Sequence, residues 1–238
     1  MRTLTALTLI FGFIAWREAA AQDSPADFNG IWMPTAIAPD GTRNRPWPEH
    51  PPFRPEVQTL VDRYYAQYDA VEDDDGRSCL PYGMPRQMLV TAQYPIEIIQ
   101  TDQRLTILFE LHNDVRRVFL DGRSHGVDLL PTWMGHSVGW FEEDTLVIET
   151  TGIRETAMPR PGSPELKVTE RISEIDGGDR GRMLTVDVTI DDPLVFQEPF
   201  TARNYYWLQT EIEMGEYFCS DDLWQQSLNG GEDDIPWR

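Results

Sequence analysis

His125, His136 and Asp121 lie close together in the middle of this chain. Histidine is the side chain whose unperturbed titration falls nearest neutral pH. Two of them can supply an acid and a base, and a carboxylate beside them can orient one ring. The pair brackets Leu129-Leu130-Pro131-Thr132-Trp133, which reads as a loop over one end of the fold. The same residues equally suit a structural role, each ring hydrogen-bonded in place. With a carboxylate they could also fill three zinc positions, but their spacing matches no compact ligand motif. No metal and no organic cofactor is expected. His50 and His112 fall in a proline-rich strap and at a strand end, and are expected at the surface.

Gly135-His136-Ser137-Val138-Gly139 has the G-x-S-x-G form of a nucleophile elbow. An elbow needs a strand-to-helix turn and a histidine later in the chain than the serine. No histidine follows Ser137, and Asp144–Thr150 reads as a strand. Ser137 is therefore expected in a tight turn or at a strand edge, not as a nucleophile. No phosphate loop or dinucleotide fingerprint is present either.

Other charges break the strand pattern. Glu170 shares a face with Leu166, Val168 and Ile172. Glu110 falls with Thr106 and Leu108, and Arg117 and Asp121 fall with Val115 and Phe119. A charge on an apolar face must be paired or functional, because desolvating it alone is costly. One reading is an interior Glu–Arg pair that fixes register. The other is a polar patch in a ligand cavity, with Glu110, Arg117 and Glu170 touching the ligand. Trp133 and Trp140 would line the same pocket, as would Tyr205, Tyr206 and Trp207, unless all are core.

The elements that must position these residues begin after residue 21. Met1-Arg2, the apolar run Leu4–Trp16 and Ala19-Ala20-Ala21 read as a signal peptide over 1–21, or else a retained anchor. Residues 22–238 suit one domain. The formal charge is −20, and loss of 1–21 makes it one unit more negative. Nucleic acid and anionic membrane are thereby disfavoured as partners. Cys79 and Cys219 form an even pair, expected as one disulfide in an exported chain, with two buried thiols as the alternative.

Residues 36–56 are proline-rich and extended. Val57, Leu60, Val61, Tyr64, Tyr65 and Tyr68 recur at helical spacing, predicting one helix over about 55–70. The acidic run Glu72–Asp75 fails as a calcium loop, since Val71 and Tyr82 stand where ligands are needed. From residue 86 the period becomes two. Strands are expected at 86–91, 95–101, 104–111, 115–121, 136–141, 144–151, 166–173, 182–190, 198–208 and 213–219. The tail 229–238 reads as loose. The fold expected is all-β and mainly antiparallel, a lipocalin-like β-barrel or a sandwich with one N-terminal helix.

Three blocks carry a resemblance: Cys79-Leu80-Pro81-x-Gly83-x-Pro85-Arg86, Asp121-Gly122-Arg123-x-His125, and Trp133 through Val147. Together they resemble a family of exported, mostly uncharacterised bacterial proteins with a G-[DH]-S-[IV]-G-x-W-x-G-D-T-L-V motif. The resemblance implies a periplasmic or secreted all-β domain, and no reaction. The chain departs from the motif at Glu143, where glycine is usual, and at Phe141, where tryptophan is. Gly30-x-Trp32 also resembles the G-x-W near the first lipocalin strand.

Two functions fit. One is a cofactor-free isomerase, lyase or hydrolase using His/Asp acid–base chemistry on an apolar or aromatic molecule. The other is a lipocalin-like carrier that binds such a molecule without turnover.

Overall fold

The structure, a computed structural model, describes residues 26–68, 79–91, 93–156 and 160–219. The expected signal peptide, the acidic run and the tail lie outside them. Nine strands close into one barrel: β1 (Gly30–Pro34), β2 (Ile96–Thr101), β3 (Arg104–Phe109), β4 (Val115–Phe119), β5 (His136–Glu142), β6 (Thr145–Thr151), β7 (Lys167–Asp176), β8 (Arg182–Asp191) and β9 (Phe200–Gln209). The expectation of an all-β barrel holds. One helix, α1 (Pro55–Gln67), has proline in its first turn. It ends earlier than the spacing predicts, because Tyr68 is already extended.

The barrel is not wholly an antiparallel meander. Strand β4 pairs β5 in parallel, through only two residue pairs, Val118 with Ser137 and Phe119 with Val138. A parallel neighbour requires the chain to return before pairing. Residues 120–135 make that return along the outside of the barrel. Every other seam is antiparallel, including β1 with β9, which closes the ring.

Two expected strands are absent. Residues 86–89 form a 3₁₀ turn whose Gln87, Met88 and Leu89 are buried. That turn is seated in the barrel end: Asn204 on the inner face of β9 donates to the Met88 and Val90 carbonyls, and the Tyr206 hydroxyl donates to Met88 as well. Residues 213–219 are not a strand, since closure of β9 on β1 leaves no free edge to extend. They dock instead on the segment after β3. The Gly215 amide donates to Glu110, the Asn113 amide group donates to the Tyr217 carbonyl, and the Cys79–Cys219 disulfide anchors the end. The disulfide closes a 140-residue separation, for which chain entropy gives about 5 kcal/mol.

Side chains fill the barrel. Trp32, Ile98, Leu105, Ile107, Ile148, Ile172, Val186 and Tyr206 are all buried within it. At the turn from β5 to β6, Glu143 adopts φ +55. This is the left-handed region, which favours glycine over a residue with a Cβ. Glu143→Gly should therefore raise the unfolding free energy by roughly 0.5–1 kcal/mol in urea titration. An unchanged or lower stability would show that the turn carries no such cost.

Candidate functional site

The G-H-S-V-G run is explained by packing. Gly135 adopts φ +64, and a Cβ there would meet Thr150 and the Thr151 carbonyl at 2.7 Å. Gly139 leaves room for Val118 from β4, which a Cβ would meet at 2.9 Å. Ser137 points into the barrel, is 1% exposed, and shares a 2.9 Å hydrogen bond with Thr150. The Arg116 Nε donates to it at 3.1 Å. Arg116 also donates to Thr150 at 2.8 Å, and to both carboxylate oxygens of Glu170, with Oε1 at 3.0 Å. Arg116 and Glu170 are 1% and 0% exposed.

The interior Glu–Arg pair is therefore real, but its arginine is Arg116, not Arg117. Expectation inverted the faces of β4. Arg116 and Val118 point in, while Val115, Arg117 and Phe119 point out. Apolar alternation misleads here because Phe119 on the outer face is partly covered by the returning segment, while Val115 is an exposed apolar side chain. Phe119 stacks on the His136 ring at 5.4 Å, and the Arg123 guanidinium lies 3.9 Å from the Phe119 ring centre.

His125 and His136 do meet, with Nδ1 atoms 2.9 Å apart. They meet on the outside of the barrel, not at its mouth. His125 comes from the return segment and His136 from the start of β5, whose odd-numbered neighbours point inward. His125 Nε2 lies 3.4 Å from Glu149, too poorly aligned for a hydrogen bond but within ion-pair range. Glu149 is paired with Lys167. Asp121 is not the orienting carboxylate: it is exposed and binds its neighbour Arg123. The facing Nδ1 atoms are occupied with each other, and no three metal-ligating side chains among the described residues converge on a common point.

A large cleft lies elsewhere. Its volume is about 800 Å³, and it lies over the barrel end from which β7 starts and at which β8 finishes. Its floor is apolar: Val61 from α1, Met84, Leu166, Ile190 and Phe196. Its walls are the proline strap with Trp47 and Phe53, the segment 80–86, Trp133, and residues 154–156 and 160–162. The walls lock together at Gly83, which has φ +66 and packs on Trp133, and the Met84 amide donates to the Trp133 carbonyl at 2.8 Å. Three guanidiniums sit over rings around it: Arg86 on Tyr82, Arg154 on Trp133 and Arg160 on Trp47, at 3.5, 5.2 and 6.0 Å.

No family model, curated protein or solved structure matches the chain.

Of the expected ligand contacts, only Trp133 lines this cleft. Trp140 is on the outer face of β5, donating to Glu142. Glu110 holds the C-terminal segment, Arg117 is exposed on β4, and Glu170 is sealed in the barrel. Sequence reasoning read the strap as an extended segment but missed that it walls the cleft, and missed Met84 and the arginines; the aromatic–proline density of 46–53 was the available signal. It also misplaced His112, which is half-buried between Tyr82 and Tyr217 at 5.0 and 5.1 Å. Burial, and then Arg86, lower its pKa. Burial likewise raises the nearby Asp114 to about 6.

Burial, then His125 and Arg123, lower the pKa of His136. The folded state therefore favours the neutral ring. Its contribution to stability is present above the ordinary histidine value and is lost as pH falls through it. Asp114 acts with the opposite sign between its ordinary value and about 6, so the His136→Gln variant serves as reference. An NMR titration should place the His136 midpoint below about 6.5, and wild type should lose stability relative to the variant on acidification. A midpoint above the ordinary value would contradict the geometry.

Proposed function

We propose that this protein is exported and that it binds a small molecule with an apolar or aromatic body in the cleft over the barrel end. The carrying observation is the apolar-floored cleft walled by Trp47, Phe53, Tyr82 and Trp133 above a barrel already filled with side chains. Ligand sites combine this kind of apolar lining with a few polar groups. Export is supported by the disulfide, which belongs to oxidising compartments, and by the signal-like start of the chain. Among the described residues no helix is long and apolar enough to cross a membrane. The binding site differs from that of an eight-stranded lipocalin, whose ligand enters the barrel itself.

A second reading keeps acid–base catalysis. The Glu149–His125–His136 chain favours it, since a carboxylate beside one imidazole is the arrangement that orients a base. That chain lies outside the cleft, so binding is the better-supported function.

The uncharged aromatic probe N-phenyl-1-naphthylamine, which fluoresces on leaving water, tests the proposal. Trp133→Ala or Trp47→Ala should weaken its binding about tenfold or more, as loss of a tryptophan anchor does. Trp140→Ala should leave it unchanged. No binding by wild type, or equal losses in all three variants, would overturn the cleft as the site.

A further inference from the structure

The cleft has a polar rim as well as an apolar floor, and its composition narrows the ligand class. In this chain carboxylates outnumber Lys and Arg by 40 to 20. Around the cleft the balance is different. Arg86, Arg154 and Arg160 face Glu49, Asp62 and Glu155, with His50 beside them. The acids and bases are not evenly spread along the rim. Glu49 and Asp62 belong to the strap and α1, whereas Arg86 opens the 3₁₀ turn and Arg154 and Arg160 belong to the stretch leading to β7, with Glu155 the one carboxylate on that side.

Arg154 is the informative member. Arg116, Arg123, Arg171, Arg182 and Arg203 each hold a carboxylate. Arg154 holds none among the described residues. Its guanidinium is instead over the Trp133 ring, on the wall of the cleft. Stacking occupies the face of a guanidinium and leaves its edge N–H groups able to grip a planar anion in two places. Trp133 is fixed in turn by Gly83 and by the Met84 amide, so the cation is held on an anchored platform. The chain as a whole is strongly acidic and would repel an anionic ligand at long range, but the cleft rim balances three arginines against three carboxylates, and Arg154 has no carboxylate partner among the described residues, so it offers an anion local attraction there.

We infer that the ligand is an anionic amphiphile: an apolar or aromatic body resting on Met84, Leu166, Ile190 and Phe196, with one carboxylate or sulfonate received at the rim by Arg154. This rests on the cleft being the binding site. Arg86 and Arg160, on their own rings, extend the basic side of the rim on either flank.

The test compares two probes that share one aromatic framework. N-phenyl-1-naphthylamine is uncharged, and 8-anilino-1-naphthalenesulfonate adds a single anion. Wild type should bind the sulfonate about tenfold more tightly, the increment expected of a charge-assisted contact at a partly exposed site. Arg154→Gln should erase most of that ratio. Arg104→Gln, which removes the same charge at the opposite end of the barrel, should preserve it. Equal affinities for the two probes, or a ratio untouched by Arg154→Gln, would overturn the anionic assignment while the cleft still binds the neutral probe. If neither probe binds, the cleft reading fails and this inference fails with it.

Discussion

One guanidinium decides how this barrel closes. Strands β4 and β5 run parallel and share only two residue pairs, the fewest of any seam. Arg116 reaches from β4 across that seam to Ser137 on β5, Thr150 on β6 and Glu170 on β7. A buried charge without a partner is strongly destabilising, whereas a bidentate, fully hydrogen-bonded pair offsets its desolvation. The network therefore makes one arrangement of four strands acceptable and penalises any slip of register. A one-residue shift would carry Arg116 or Glu170 to the outer face and leave the other buried alone.

The rest of the molecule follows from that closure. A parallel neighbour for β4 forces the chain to return over the outside, and this return brings His125 onto His136 and delivers Trp133 to the barrel end. The arginine network and apolar side chains fill the barrel interior. The 3₁₀ turn at Arg86–Leu89 seats Met88 in one end, held by Asn204 and Tyr206. Above that plug the strap, α1 and two loops build a cleft.

Much of the fold was legible because it rests on period. In β8, expected as a strand over 182–190, Leu184, Val186, Val188 and Ile190 are buried, as a period of two requires. The disulfide and the helix were legible from cysteine count and spacing. What failed was what depends on cover. Val115 and Phe119 look like a core face, yet both point outward, Phe119 against His136 and Arg123 and Val115 exposed, so the buried arginine was taken to be Arg117 when it is Arg116. Residues 86–91 and 213–219 are apolar enough for strands, but closure of the ring left one to plug an end and the other to dock outside. The histidines were rightly placed together and wrongly placed at the mouth, because parallel pairing cannot be read from a strand's own residues. The cleft was largely invisible, since its walls come from segments far apart in sequence.

The claim that the seam is clamped from within is open to direct measurement by hydrogen exchange. Arg116→Met alone strands Glu170 and should cost about 3–5 kcal/mol overall. Arg116→Met with Glu170→Leu removes both charges and separates that penalty from the clamp. In the double variant global stability should largely return, while the amides of Val115–Phe119 and His136–Trp140 exchange about tenfold or more faster than in wild type, and those of β7 and β8 do not. If the double variant protects β4 and β5 as well as wild type does, backbone pairing and apolar packing hold the seam and the arginine does not.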